Sequence, residues 1–319
     1  MMNTKQKQIS IVVPLLNEEG NISVLYESLV NVLTTITTDF EIIFVDDGSK
    51  DSSFEKITSI SNSDNRVLGI SLSRNFGHQI AITAGLEHSC GEVVITMDAD
   101  MQHPPELIPS LVEKYKEGFD IVNTIREESE DAGVFKKVTS KWFYSIINKL
   151  ADIRIEPASA DFRLMNRKTV EAFLQIKEKN RFTRGLISWM GFNQAHITYK
   201  ASTRFSGKTK YSITKMFGFA ADGITSFSAK PLRISFYTGL IVSFIGLLYA
   251  VYAIVEYFNN KTIPGWTSIL VSILIIGGIQ LISIGIIGEY LARVFNEAKN
   301  RPLYLVKKYV SKENTSIKK

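Results

Sequence analysis

The sequence predicts an α/β domain built on a parallel sheet, followed by an amphipathic helix and two membrane-spanning helices. Three observations carry this expectation. Short apolar runs alternate with amphipathic stretches from Gln8 to Thr124, the pattern of strand–helix–strand units with helices on both faces of a sheet. Several of those runs stop abruptly in carboxylates or polar turns, most sharply where Glu92–Met97 meets Asp98-Ala99-Asp100. After residue 233 the composition changes, and two long segments carry no charge.

The first strand is read at Gln8–Pro14, with Pro14 ending it, and Ile22, Leu25, Leu29 and Val32 give the next helix its apolar stripe. Phe40–Val45 is a second buried strand that runs into Asp46-Asp47-Gly48-Ser49, and Asp51 or Ser52 is placed to cap the helix after it. Val67–Leu72 is a third strand, and Ser73–Gly77 leads into a helix from about His78 to His88. Then follow the Glu92–Met97 strand, a helix over Glu106–Lys116 and a strand at Phe119–Thr124. From Ser129 the pattern loosens. Val134–Leu150 reads as a helix with aromatics at Phe135, Trp142, Phe143 and Tyr144, available to pack on a neighbouring copy in a homo-oligomer. Ser159–Met165 is a short strand or loop that brings Asp161 back to the sheet, Arg181–Gly185 opens a helix carrying Trp189, and Asn193–Lys200 is a further strand.

In a strand, residues two apart face the same way, so Asp98 and Asp100 share a face at the end of theirs. Carboxylates so placed repel unless a cation lies between them or one takes a proton. A hard divalent ion such as Mg²⁺ or Mn²⁺, arriving with a phosphate, suits such oxygen ligands; a solvated acidic turn is the plainer alternative. Open α/β sheets bind ligands at the carboxyl edge of the strands, and several acid-ended strands on one edge favour a ligand site over solvated caps.

The chain has 319 residues, 45% of them hydrophobic, and a mean hydropathy of +0.05. The apolar excess lies after residue 233, so the first two thirds have the composition of an ordinary globular domain. The net charge is +5, with Lys and Arg crowded on either side of the apolar segments; this points to an anionic membrane surface, not to nucleic acid. Cys90 is the single cysteine, which excludes an intrachain disulfide and fits a reducing cytosolic setting. The polar start, Met1–Gln8, has no signal-peptide pattern.

Ser212–Ser228 has an amphipathic helical pattern followed by Lys230, Pro231 and Arg233, as in helices that lie on a membrane surface. Ile234–Val255 and Ser268–Gly288 contain 22 and 21 residues without a charge, each about 32 Å long as a helix and enough to span the hydrocarbon core. The turn between them carries one basic residue, Lys261, whereas Lys200–Arg233 and Arg293–Lys319 are rich in Lys and Arg. The positive-inside rule then puts the large domain and both termini in the cytoplasm of a bacterial inner or plasma membrane. The expected division is a catalytic domain over 1–211, a juxtamembrane helix over 212–233, a two-helix hairpin over 234–292 and a basic tail over 293–319, disordered after Lys307.

Six stretches stand together in order: Val13–Glu19, Val45–Ser49, Ser73–Gly77, Asp98–Pro104, Asp161–Leu164 and Arg204–Tyr211. In this they resemble glycosyltransferase family 2, and within it the polyprenyl-phosphate glycosyltransferases: bactoprenol glucosyltransferases and, more distantly, dolichol-phosphate mannose synthases. The resemblance extends over about residues 8–305. It implies a GT-A (Rossmann-like) catalytic domain, a nucleoside diphosphate sugar donor, Mg²⁺ or Mn²⁺, and inverting sugar transfer to a lipid phosphate. It implies that Pro14, Asn17 and Glu19 line the nucleoside pocket and that Asp47 contacts the base or ribose. Asp98 and Asp100 match the metal and diphosphate site, with Gln102 as a further metal contact and Arg126 near the diphosphate. Asp161 takes the position proposed for the catalytic acid or base, and Arg204 and Lys210 face the acceptor phosphate. UDP-glucose is the first choice of donor, with UDP-N-acetylglucosamine, UDP-galactose and GDP-mannose open; undecaprenyl phosphate is the expected acceptor, for modification of a cell-surface glycan. His78-Gln79 and Thr209 fall where subgroups vary.

The chemistry is consistent with these residue types. The leaving diphosphate needs charge stabilisation, which a metal and a cation such as Arg126 supply. A lipid phosphate is already anionic, so Asp161 need only position or orient, and it also reads as a structural partner of Arg163. His103 reads as a turn residue, His78, His88 and His196 show no partner pattern, and Trp142 and Trp189 read as core. A processive polysaccharide synthase would carry Gln-x-x-Arg-Trp and more membrane helices, which this sequence lacks. A non-catalytic membrane protein that only binds nucleotide sugar would not need acids at 47, 98, 100 and 161.

Overall fold

The computed structural model describes residues 7–127, 159–199, 228–258 and 265–312. The described strands are β1 (Lys7–Leu15), β2 (Phe40–Asp46), β3 (Val67–Leu72), β4 (Gly91–Thr96), β5 (Ile121–Arg126), β6 (Ser159–Asn166), β7 (Gln194–Tyr199) and β8 (Val306–Val310). They form one sheet in the order β7-β5-β6-β4-β1-β2-β3-β8. The helices are α1 (Ile22–Ile36), α2 (Ser53–Ser63), α3 (His78–His88), α4 (Ile108–Lys116), α5 (Arg167–Gln175), α6 (Thr183–Trp189), α7 (Lys230–Phe258) and α8 (Trp266–Ala298).

Alternation along β1 shows why the sheet is covered twice. Ile9, Ile11 and Val13 face a core that includes Leu25, Leu29 and Leu33 of α1 and Ile108 and Leu111 of α4. Val12 points the other way, to α3, where Gly85 lets the helix approach closely. Both faces are dry, so the strands read as near-continuous apolar runs.

The sheet is mixed, not parallel throughout. β1 pairs in parallel with β2 and β4, and β2 with β3, but β6 runs antiparallel between β4 and β5, and β8 runs antiparallel along β3. Pro14 does not end β1: it pairs with Val45 and the strand continues to Leu15. Its missing N–H is harmless because the ladder to β4 ends at Val12, whose carbonyl accepts Met97 N. The helix α5, capped by Asn166 Oδ1 accepting from Thr169 N at 2.8 Å, was not expected. Lys308, Tyr309 and Val310, in the stretch expected to be disordered after Lys307, pair with β3, and residues 313–319 lie outside the described residues.

The chain divides into two compact units, with α7 and α8 in the second and the sheet in the first. Lys230–Arg233, expected in the juxtamembrane segment, already belong to α7, and α8 continues past residue 292 to Ala298. Within them Lys230–Tyr252 and Ile275–Ala298 are long and apolar enough to cross a membrane, with mean hydropathy 1.9 and 1.7. Their large apolar side chains, Phe244 and Leu281 among them, are exposed on the protein, as expected of helices that are apolar all round. The helix expected at Val134–Leu150, the amphipathic helix of 212–228, and Arg204 and Lys210 lie outside the described residues.

Candidate active site at the carboxyl edge of the sheet

The strand order β3-β2-β1-β4 places the carboxyl ends of four parallel strands side by side, with the crevice of a doubly wound sheet between β1 and β4. β5 and β7 end on the same edge with Arg126 and Tyr199. β6 starts there because it is antiparallel. Its register with β4 pairs Thr96 with Arg163 and Ile95 with Leu164; two residues further out, the same spacing sets Asp98 level with Asp161.

The β1–α1 and β2–α2 loops lock into one another. Asn17, in the left-handed region at φ 54°, donates its N–H to Ser49 Oγ at 2.8 Å, and its Oδ1 accepts from Lys50 N at 2.9 Å. Glu19 Oε2 accepts from Ser52 N at 2.9 Å, while Glu19 N donates to Asp51 Oδ2 at 3.2 Å. Of the two residues proposed as cap of α2, Asp51 accepts from Ser53 N, and Ser52 occupies the cap position without a side-chain bond. Asp47 is buried, and its two oxygens accept from Phe76 N at 2.7 Å and Gly77 N at 2.9 Å. Burial raises its proton affinity against those two backbone bonds. Asp47 therefore fixes the loop that leads into α3.

Past β4, Asp98 N donates to His103 Nδ1 at 3.0 Å, which leaves the His103 Nε2 proton facing Asp98 Oδ2 at 3.7 Å. The His103 ring stacks on Phe162 with centroids 5.3 Å apart. Asp100 Oδ1 accepts from Gln102 N at 3.1 Å, and Gln102 Oε1 accepts from Arg126 Nη1 at 3.3 Å. Met101 between them sits at φ 62°, a left-handed conformation that is costly for a long side chain and is concentrated at functional turns. Asp98, Asp100, Gln102 and Arg126 are thus brought together.

Asp161 is the most heavily engaged carboxylate. Arg163 Nη2 donates to Oδ1 at 2.9 Å, Gln79 Nε2 to Oδ2 at 3.1 Å, and Arg184 reaches both oxygens at 3.4 Å. His78 Nε2 lies 3.2 Å from Asp98 Oδ1 and 3.6 Å from Asp161 Oδ2, bridging the two acids. Burial opposes ionisation of Asp161, but Arg184, His78 and Arg163 outweigh it and hold the carboxyl well below its usual range. Burial would likewise lower His78, yet its bonds to Asp161 and Asp98 push it up to about 10. Tyr199 is pushed up to about 12 by burial, against Arg126 and with Asp98 and Asp100, which places it in the field of the same groups.

His78, Gln79, His103, Arg184 and Tyr199 were not anticipated as site residues. The available signal was place: His78 and Gln79 open a helix directly at the carboxyl edge, and Tyr199 ends a strand there.

The description "Glycosyl transferase family 2" matches residues 10–174, which contain all of this geometry except Arg184 and Tyr199. The chain belongs to glycosyltransferase family 2. A second description, "GtrB C-terminal hairpin", matches residues 230–294. Among similar family members, the uncharacterized glycosyltransferase YkcC of Bacillus subtilis is 45% identical over 97% of this chain and 96% of its own. The SfII prophage-derived bactoprenol glucosyl transferase of Shigella flexneri is 42% identical over 94% and 98%. The prophage bactoprenol glucosyl transferase homolog of Escherichia coli K12 is 40% identical over 94% and 99%. Among solved structures, glucosyl-3-phosphoglycerate synthase of Mycobacterium tuberculosis is similar at TM-score 0.45 and 19% identity, over 69% of this chain and 78% of that one. By its family and its mixed α/β sheet, this glycosyltransferase is an enzyme of the GT-A-like α/β class, carrying two C-terminal helices that could cross a membrane.

Proposed function

We propose that this glycosyltransferase moves a sugar, with inversion, from a nucleoside diphosphate sugar to a polyprenyl phosphate at the cytosolic face of a bacterial membrane. The observation that carries the reading is the near full-length likeness to bactoprenol glucosyl transferases, 94% of this chain and 98% of the Shigella flexneri protein, which takes in the carboxyl-edge site and both apolar helices. Glucose from UDP-glucose is the transfer those names suggest, and undecaprenyl phosphate the acceptor.

Asn17, Glu19 and Asp47, on the interlocked loops, and Pro14, near the end of β1, are assigned to the nucleoside. Asp98, Asp100 and Gln102 offer oxygen ligands on one turn, a fit for Mg²⁺ or Mn²⁺. Among the described residues no group of three His, Cys, Asp or Glu side chains forms a complete cage, and such cations commonly pair one or two carboxylates with substrate phosphates. When bound, the cation would offset charge on the leaving diphosphate. Arg126, held against Gln102, adds a fixed positive charge on the same side. Arg204 and Lys210 are assigned to the acceptor phosphate. The division into a cytoplasmic catalytic domain, a juxtamembrane helix, a hairpin and a basic tail, with both termini cytoplasmic and a homo-oligomer available, belongs to the same proposal.

The test is transfer in detergent with radiolabelled UDP-glucose, UDP-N-acetylglucosamine, UDP-galactose and GDP-mannose in turn, undecaprenyl phosphate, and Mg²⁺ or Mn²⁺. A chloroform-soluble, acid-labile product from one donor is expected. Absence of lipid product from every donor, with donor binding intact, refutes the acceptor. Asp100→Ala is expected to abolish metal-dependent donor binding, and wild-type turnover in the presence of a chelator would contradict the metal assignment.

A further inference from the structure

We propose that the C-terminal segment around β8 is a positioning element of the active site: Tyr304 and Tyr309 grip α3 and thereby hold His78 and Gln79 against Asp98 and Asp161. The inference rests on the placement of the site at the carboxyl edge of the sheet, and not on which lipid accepts the sugar.

The membrane-type helix α8 ends at Ala298. A tail that served only as a charged flank to it would need no fold. This one returns to the sheet. Gly69 pairs with Val310, Ile70 with Tyr309, Ser71 with Lys308 and Leu72 with Val306, and just past the ladder Ser73 N donates to Leu305 O at 2.8 Å. Successive residues of a strand face opposite ways, so Val310 and Tyr309 meet different helices. On the α2 side, Ser61 Oγ donates to Val310 O at 3.1 Å, and Val310 and Ile57 fill the space that a Cβ on Gly69 would take.

The other face meets the last turn of α3. Tyr304 Oη donates to Glu87 Oε2. His88 Nδ1 lies 2.7 Å from Ala84 O, a carbonyl that can only accept. In the neutral ring Nδ1 therefore carries the proton, and Nε2 accepts from Tyr309 Oη at 2.6 Å. The same ring contacts both tyrosines, with centroids 6.5 Å from Tyr304 and 5.3 Å from Tyr309.

The segment thus holds one unit at both ends. Ser73 opens the loop that enters α3, and Glu87 and His88 close the helix. Between them lie His78, with Nε2 3.2 Å from Asp98 and 3.6 Å from Asp161, and Gln79, which donates to Asp161 at 3.1 Å. A helix of 11 residues is a rod about 16 Å long, so a shift of its last turn is carried to its first. Catalytic groups are sensitive to such shifts, because a misplacement of about 1 Å can cost about 100-fold.

The test uses the full chain in detergent and, beside it, a chain ending at Pro302 that keeps both apolar helices. The readouts are kcat with the donor and acceptor that wild type uses, donor Kd, and backbone hydrogen exchange. The Tyr304→Phe/Tyr309→Phe pair removes two hydroxyls and leaves the β8 ladder in place. It is expected to lower kcat about 10-fold, with donor Kd within about twofold of wild type and faster exchange confined to residues 73–88. Glu87→Gln keeps an acceptor for Tyr304 and should stay close to wild type. Glu87→Leu should match Tyr304→Phe, and the two combined should be no worse than either, as for partners in one contact. The shortened chain should lose kcat as well and recover it when a synthetic peptide of residues 303–312 is added. Wild-type kcat in the tyrosine pair would overturn the proposal, as would exchange that rises evenly over the whole domain. If the shortened chain fails to bind donor, the tyrosine pair alone decides. Absence of lipid product from wild type would defeat the acceptor reading only; exchange then decides this inference, and unchanged protection of residues 73–88 in the tyrosine pair would overturn it.

Discussion

Gly85→Ala tests whether the close approach of α3 to the sheet sets the active site. A Cβ at Gly85 would fall inside the envelope of Val12 Cγ1, and would stand 3.2 Å from Val45 Cγ2 and 3.3 Å from Val12 Cβ. Carbon atoms pack best at about 3.5–4.0 Å. Val12 is fully buried and β-branched, so it cannot swing aside. Overpacking of this kind costs about 1–3 kcal/mol, and replacing glycine by alanine inside a helix returns about 1 kcal/mol. The severity of the contact with Val12 Cγ1 puts the cost in the upper part of that range, about 2–3 kcal/mol, so the net loss is about 1–2 kcal/mol, a fall in Tm of about 2–8 °C for a domain of this size. Because His78 and Gln79 lie at the start of the displaced helix, kcat/KM should fall as well. Val12→Ala removes the obstructing methyls, so the double variant should be more stable than the sum of the singles by about 1–2 kcal/mol. The assay is thermal unfolding of the detergent-solubilised chain across the four-member cycle. A Gly85→Ala protein that melts at or above wild type, or strict additivity, would refute the reasoning.

Asp64 accepts from Tyr26 Oη at 2.7 Å and from Arg66 Nη2 at 2.7 Å; burial raises its pKa, but these partners outweigh it and bring it to about 2. A folded-state pKa below the unfolded one contributes stability at higher pH that is lost as pH falls through about 4 towards 2. It amounts to up to about 2 kcal/mol, so the Tm gap between wild type and Asp64→Asn should close over that window; a gap that is constant with pH would contradict it. Cys90 Sγ donates to Glu41 Oε1 at 3.2 Å, and burial together with Glu41 pushes the thiol up to about 11. Maleimide labelling of the folded chain at pH 7.5 should therefore run about 100-fold slower than that of a free thiol, since the thiolate is the nucleophile, and should accelerate in Glu41→Gln; equal rates would refute the burial argument.

What could be read from the sequence follows from how strands announce themselves. β3 at Val67–Leu72 and α3 at His78–His88 fall where the pattern put them, because a run buried on both faces is largely apolar and a Gly marks the helix start. Direction is different. Ser159–Met165 reads the same whether its strand runs up or down, and only pairing with β4 shows that it is antiparallel. β8 was hidden for another reason: in Val306–Val310 only the first, last and one aromatic residue are apolar, since an edge strand with an exposed face needs few buried side chains. α5 gave a fainter signal, the Asn166 cap ahead of Val170 and Phe173.

The site was legible in its acids, in Arg126 and in the Asp161–Arg163 pair, and not in its other cations. Two carboxylates at the end of one strand require a positive partner, and the sequence argument placed that partner between Asp98 and Asp100. The folded chain supplies one between Asp98 and Asp161, from His78, and adds Arg163 and Arg184 behind it. His78 and Arg184 come from α3 and α6, so no local spacing links them to Asp161 on β6. Their convergence depends on β6 being antiparallel, which brings Asp161 level with Asp98. The same geometry separates the surroundings of the acids: Asp98 faces His78 and His103, while Asp161 is shared among Arg163, Gln79, Arg184 and His78.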